Sequence, residues 1–197
     1  MSKYLVVIFI LLCSLPTKAA DVDGVFGIRW GSTPDEVRKM GVTLVLVENE
    51  FNLAFYGAWN VPKDVSGFTD YTLVFDGKKG LFRGVALYDP GSLALIQAIN
   101  TPIKEIRSMT KNTFERTAEI LKAKYACKAN TEVWDGEAVD VIACLRSSPD
   151  RGALLAHYLV QAQVSLTIES PHAVKAFQEF EAKRKSAALN SKDAEAL

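Results

Sequence analysis

The chain has 197 residues, with 23 basic and 23 acidic side chains and only two histidines. That length suits one domain, or two small half-domains with an adequate core. Without Lys3 and Lys18, which lie in an N-terminal targeting segment described next, 21 basic residues face 23 acidic ones, a net charge of −2. Since Lys and Arg form no stripe along the sequence, nucleic acid and anionic membrane surfaces are poor candidates as partners.

Residues 1–20 have the pattern of a secretory signal peptide. Lys3 supplies a positive start, and the apolar run Tyr4–Leu15 is too short to span a bilayer comfortably. Small residues precede a cleavage site near Ala19/Ala20. Because no second long apolar run follows, we expect no integral membrane segment after signal removal, and we expect a periplasmic or secreted protein.

Cys13 leaves open whether the leader is cleaved or lipidated. A lipoprotein signal usually has a small residue before its cysteine, whereas this chain has Leu12 there. The position of Leu12 therefore favours ordinary cleavage.

The first predicted helix begins at Thr33 after a short strand at Val25–Trp30. Thr33 is the expected N-cap, Pro34 suits the first helical position, and Glu36 completes a capping box. Gly41 is expected to end the helix.

An antiparallel set of strands is predicted next. Thr43–Val47 is β-branched and apolar, and the aromatic stretch Phe51–Tyr71 is broken by a loop at Pro62–Asp64. Tyr71–Phe75 and Leu81–Tyr88 form a further hairpin. Residues 93–99 are interpreted as a linker or a helical turn.

The most regular helical pattern follows Thr101–Pro102. Apolar or semi-polar residues recur at helical spacing, which predicts one buried stripe. They are Ile106, Met109, Thr113/Phe114, Ala118, Leu121 and Tyr125.

The Asp-Gly pair at 135–136 predicts a two-residue type I′ hairpin, because both central positions of that turn need positive φ. Counting outward from Trp134 opposite Glu137 places Cys127 opposite Cys144 on a non-hydrogen-bonded rung, where a disulfide fits. The alternative is a catalytic or metal-binding cysteine, but neither residue has CxxC spacing.

The same register predicts which face of the hairpin covers the core. One face is mostly apolar, and the other carries the cysteines with polar residues. We expect only the first to be buried; its members are Trp134, Val139, Val141, Ala143 and Leu145.

Beyond the hairpin, a loop at 147–152 precedes Leu154–Glu169, which is interpreted as one long strand. Ser170–Pro171 begins a third helix, with Val174, Phe177 and Phe180 on its apolar side. The order of elements predicts an α+β fold of two helix-plus-antiparallel-sheet units in tandem with a C-terminal helix.

This fold implies a single domain at 21–188, with possible half-units at 21–92 and 101–188. A frayed tail is expected at 189–197.

No catalytic signature is recognisable. His157 is expected to be a structural or solvated residue, and His172 has no evident partner. The acidic cluster of Asp135, Glu137 and Asp140 lacks the spacing of a metal-binding loop. The sequence therefore predicts no metal, no cofactor and no catalytic residue.

The aromatic stretch contains the candidate binding residues. Tyr56 and Trp59 flank Gly57–Ala58, and such rings bury large areas in partner contacts while keeping a polar group. We predict that they contact a partner.

The segment from Gly31 to Val37 resembles the opening of many small exported bacterial proteins, including the β-lactamase-inhibitor-protein-like group and the small lipoprotein of the outer-membrane assembly machine. The later order is similar too: a hairpin, a helix ending in Lys124–Tyr125, a strand with Trp134 and a closing strand. The resemblance implies a non-enzymatic periplasmic protein that binds through a sheet face, and it assigns no target and no binding residue.

The leading hypothesis is thus an exported protein-interaction module, as an inhibitor or an envelope-assembly factor, whose partner is another protein of the cell envelope. The alternative is a carrier of small molecules or lipids in a cavity lined by aromatics. An enzyme of unrecognised type is a third interpretation, and the oligomeric state stays open.

Overall fold

The computed structural model describes residues 23–91, 102–145 and 151–195. The signal peptide, the linker at 93–99, Thr101 and most of the loop at 147–152 lie outside these ranges. The helices that lie wholly within these ranges are Pro34–Lys39 (α1), Ile103–Lys124 (α2) and Ala173–Glu195 (α3). The strands are Gly24–Val25 (β1), Ile28–Arg29 (β2), Thr43–Glu50 (β3), Leu53–Trp59 (β4), Asp70–Asp76 (β5), Gly80–Tyr88 (β6), Ala126–Trp134 (β7), Glu137–Leu145 (β8), Arg151–Tyr158 (β9) and Gln163–Glu169 (β10).

Eight strands form one antiparallel sheet in the order β3-β4-β5-β6-β10-β9-β8-β7. The predicted α+β class is confirmed. The strands of the two expected half-units are not separate sheets, because β6 pairs with β10 from Arg83–Glu169 to Tyr88–Val164. Strands β3 and β7 are therefore the two edges of a continuous sheet.

The β7–β8 hairpin has the predicted register. Trp134 pairs with Glu137 and Cys127 with Cys144, and the sulfurs of the two cysteines are bonded. The turn at 135–136 has φ of 50° and 84°, as a type I′ turn requires.

The prediction of a single buried face for this hairpin is wrong. Cys144 and Ile142 are buried in the main core, on the face that α2 covers. Val139 and Val141, on the opposite face, are also buried, because Trp134 packs against them with Tyr158 and Leu154 of β9. A pattern along one hairpin cannot show that a neighbouring strand supplies rings that close over the second face.

The single strand predicted over Leu154–Glu169 is also wrong. It is a hairpin, β9 and β10, joined by a turn at 159–162. Ala162 has φ of 51° there. The turn contains no Gly, Pro, Asn or Asp, so the usual sequence markers of a reversal are missing.

Helix α1 has the predicted start. Thr33 Oγ1 accepts a hydrogen bond from the Glu36 amide at 3.3 Å, and the Glu36 carboxylate accepts one from the Thr33 amide at 2.7 Å. Val37 is fully buried, so the helix packs on the core through one residue.

Helix α2 packs on the sheet through most of the predicted stripe, since Ile106, Thr113, Ala118 and Leu121 are buried, but the buried face also includes other threonines. Met109 is 41% exposed, whereas Thr110, Thr113 and Thr117 are buried. Threonine is tolerated here because its hydroxyl can donate to a carbonyl one turn earlier, as Thr117 Oγ1 does to Thr113 O at 2.8 Å. The short side chains leave room for the large residues of the sheet.

Helix α3 covers a different part of the molecule and forms a second cluster. Phe180 contacts Phe51 and Phe55, with ring centroids 6.0 and 5.8 Å apart, and Phe177 lies beside it. Within the described residues, no helix is both long and apolar enough to cross a bilayer.

Candidate functional site

The two predicted binding residues lie on opposite faces of the sheet. Tyr56 and Trp59 are three positions apart in β4, and side chains alternate between faces along a strand. Tyr56 is half-buried: its ring meets Phe75 edge-on at 5.4 Å, and the Arg38 guanidinium lies 5.6 Å from the ring centroid. The structure therefore does not bring Tyr56 and Trp59 into one surface.

Trp59 is the exposed member of the pair. It ends β4, pairs with Thr43 of the edge strand β3, and is 49% exposed. Its indole folds back over Gly57, where an added Cβ would lie 3.2 Å from the ring. Glycine at this position thus gives the indole room to lie flat along the sheet.

Beside Trp59, strand β3 presents apolar side chains to solvent. Val45 and Leu46 are each 51% exposed and Val47 is 72% exposed. Residues 43–47 carry no charge, and among the strands that the structure describes β3 pairs with β4 alone. An uncharged apolar edge leaves backbone groups available to another chain, and natural proteins usually avoid one.

A β-bulge lies within this stretch, whose side chains are on both faces of the sheet: Val45 pairs with Gly57 and Leu46 with Tyr56. The β3–β4 register shifts between Leu46 and Glu48, so Val47 is the extra residue. Val47 borders the space above Gly57 on the same side as the Trp59 ring. We call Val45, Leu46, Val47 and Trp59 the β3 edge surface.

The β3 edge surface is only partly visible in the sequence. The strand and Trp59 were predicted, but the exposure of β3 depends on the strand order of the whole sheet. Both edge strands carry charged residues: β3 has Glu48 and Glu50 after its uncharged stretch, and β7 has Lys128 and Glu132. β7 has one strongly exposed valine, Val133, at 73%.

The acidic cluster has structural roles. Asp135 occupies the β7–β8 turn, and Asp140 Oδ1 accepts a hydrogen bond from Thr131 Oγ1 at 2.9 Å. Among the residues the structure describes, no three His, Cys, Asp or Glu side chains form a group that could hold a metal ion.

His157 is the one buried histidine, at 6% exposure. Its Nε2 lies 3.2 Å from Thr110 Oγ1, its ring stacks on Phe114 at 5.4 Å, and Asp140 Oδ2 is 4.0 Å from Nδ1. Thr110 is fully buried, so its hydroxyl is not accessible to a substrate. The group holds α2 against β8 and β9.

Burial lowers the pKa of His157 below its ordinary value of 6.5, while the charge of Asp140 partly opposes the shift. The unfolded chain therefore takes up a proton more readily than the folded protein as the pH falls through 6.5.

We expect the free energy of unfolding to fall below pH 6.5, by at most about 1.4 kcal/mol per pH unit from this residue. Urea denaturation of the wild type and His157→Gln between pH 7.5 and 5 checks this. The free energy of unfolding should depend less steeply on pH in the variant, whatever the absolute stability of the variant. Parallel slopes would assign the pH dependence to other groups. His172→Gln, at an exposed position, is the matched control.

A cavity of about 510 Å³ lies beside the β1–β2 hairpin. Its lining includes Val25, Phe26, Ile28, Val65 and Ile168. Of the described residues that line it, Phe26 alone is aromatic, and most aromatics of the predicted surface pack in the two cores instead.

No family model, curated protein or solved structure matches this chain.

Proposed function

We propose that this protein is an exported, non-catalytic interaction module that works in the periplasm or outside the cell, as an inhibitor or an envelope-assembly factor. Three observations support it. Residues 1–20 have the pattern of a cleavable leader, and the Cys127–Cys144 bridge needs an oxidising compartment. The observation that carries the proposal is the β3 edge surface, which is apolar, uncharged and exposed.

The partner we propose is another protein of the cell envelope that adds an extended strand to β3. An edge strand binds such a segment through backbone hydrogen bonds, and exposed apolar side chains on both faces add area and specificity. Val45 and Val47 would flank the added strand on one face, and Trp59 of β4 lies behind them on the same face. Tryptophan is a common energetic centre of such interfaces.

We also infer that the chain consists of two half-units, 21–92 and 101–188. In support, α1 precedes β3–β6 and α2 precedes β7–β10, and each set of four strands is a run of consecutive antiparallel neighbours. The last strands of the two sets, β6 and β10, pair with each other.

Quantitative capture from cell-envelope extracts tests the binding surface. The baits are the wild type, Trp59→Ala, Val45→Lys and Val133→Lys; the last makes the same change at an exposed valine on the other edge. Wild type and Val133→Lys should retain a common partner. Trp59→Ala should reduce its recovery about thirtyfold, as expected for a tryptophan worth about 2 kcal/mol.

Equal recovery by all four baits would contradict the proposed surface. Sedimentation of the same purified proteins tests whether the partner is a second copy of this chain. If the wild type is a dimer that Val45→Lys dissociates, the strand that β3 receives comes from a second copy.

A carrier of small molecules or lipids is the second candidate, and the 510 Å³ cavity favours it, because pockets for small ligands have about this size. A thermal-shift screen against lipids and metabolites distinguishes it, since a ligand of the native state raises the Tm. Ile168→Trp, which fills the cavity, should abolish any such shift.

A further inference from the structure

A second candidate site lies at the other end of β4 from Trp59. A cavity of about 300 Å³ opens where the β3–β4 turn, the β5–β6 turn and α3 meet. Four lysines line it: Lys78, Lys79, Lys175 and Lys183. We call this the lysine pocket.

The lysine pocket has an excess of positive charge. Its acidic lining residues are Asp76 and Glu179. Asp76 Oδ1 already accepts hydrogen bonds from the backbone amides of Lys78 and Lys79, at 2.7 and 2.9 Å. Two carboxylates therefore face four ammonium groups in a protein whose overall charge is nearly balanced.

The four ammonium groups have no ion-pair partner within 4.0 Å among the described residues. All four lysines are exposed. Like charges gathered around one cavity repel each other, and this repulsion is relieved when an anion binds between them.

The floor of the lysine pocket is apolar and well ordered by packing. Leu53 and Phe180 are 2% and 4% exposed, and the Phe51 ring meets Phe180 edge-on at 6.0 Å. Asn52 adds an amide group at the rim. A cationic rim over an apolar floor suits an anionic group attached to an apolar body.

We propose that the lysine pocket binds a phosphate group, either free or on a lipid headgroup. Lysine binds phosphate as a point charge, so flexible side chains from two segments can converge on one anion. The lysines come from positions 78–79 and 175–183, which explains why the sequence shows no basic stripe. The site shares no residue with the β3 edge surface, so either can fail alone.

Two measurements on the purified, disulfide-bonded protein test the proposal. One follows the amide chemical shifts of Gly77, Lys78 and Lys79 during titration with inorganic phosphate at low salt. The other measures sedimentation with vesicles of phosphatidylglycerol, with phosphatidylcholine vesicles for comparison. The test variant is Lys79→Gln/Lys183→Gln. The matched control, Lys104→Gln/Lys128→Gln, removes the same charge at exposed positions elsewhere.

We expect saturable binding that the test variant weakens about thirtyfold, at about 1 kcal/mol per lysine, and that the control leaves within twofold of wild type. If the protein binds inorganic phosphate but does not bind the vesicles, the ligand is a free phosphate compound. Binding of anionic vesicles would identify a lipid headgroup. Absence of both, or equal weakening by the two double variants, would overturn the proposal.

Discussion

Reduction of the Cys127–Cys144 bridge should lower the free energy of unfolding by about 3 kcal/mol. The bridge closes a short loop, with the cysteines 17 positions apart, and so restricts the unfolded chain. It also joins edge strand β7 to β8, which is covered on both faces. Urea denaturation with and without reductant measures the effect.

The matched variant for this experiment is Cys127→Ala/Cys144→Ala. It should unfold at the same urea concentration with and without reductant, since it has no bridge to lose. The free energy of unfolding of the reduced wild type should be close to that of the variant and slightly higher, because the reduced protein keeps the volume of the buried Cys144 side chain. Loss of under 1 kcal/mol on reduction would show that the hairpin is held by the sheet alone.

Replacing Glu169 by alanine should cost about 3 kcal/mol, because it leaves the Arg83 guanidinium without its carboxylate in a largely buried place. Arg83 and Glu169 are cross-strand partners on β6 and β10, with side chains 17% and 11% exposed. The Phe177 ring of α3 covers the guanidinium at 3.7 Å. The ion pair therefore links β6, β10 and α3.

The double variant Arg83→Met/Glu169→Met distinguishes the stability contributed by the ion pair from the cost of leaving one buried charge without its partner. It removes both charges while keeping apolar volume under Phe177, so it should be at least 1 kcal/mol more stable than Glu169→Ala. Chemical denaturation of both variants gives the comparison. If the double variant is the less stable of the two, the ion pair itself is a net source of stability and this explanation is wrong.

The sequence predicts the parts of this fold that local chemistry determines. The Asp-Gly turn at 135–136 establishes the β7–β8 register and hence the cysteine pair. Thr33, Pro34 and Glu36 determine the start of α1 in the same way. In each case a few neighbouring residues satisfy a backbone requirement that no distant contact changes.

Two other turns have weaker local markers or none: the β3–β4 turn has only Asn52, and the β9–β10 turn has no such residue. The β3–β4 turn places Phe51 and Asn52 at φ of 46° and 70°. Phenylalanine is unusual in that conformation, and its ring is held there by Phe180 of α3. The β9–β10 turn at 159–162 likewise depends on its strands finding partners in the sheet. A scan of local propensities cannot detect turns that tertiary packing stabilises.

The candidate sites depend even more on distant contacts. Trp59 could be singled out from the sequence, yet its neighbours Val45 and Val47 become a surface only because β3 is an edge strand. Tyr56, chosen with it, faces the core side of the same strand. The lysine pocket needs α3 to pack beside the β5–β6 turn, which no pattern in either segment predicts.

We propose that this protein works outside the cytosol as a module closed by the Cys127–Cys144 disulfide. One measurement tests it directly: the intact mass of protein isolated from cells that are alkylated and denatured at the moment of lysis. We predict a chain that begins near residue 20 and carries no alkyl group on Cys127 or Cys144. A chain that retains residues 1–20 with both cysteines alkylated would contradict the account.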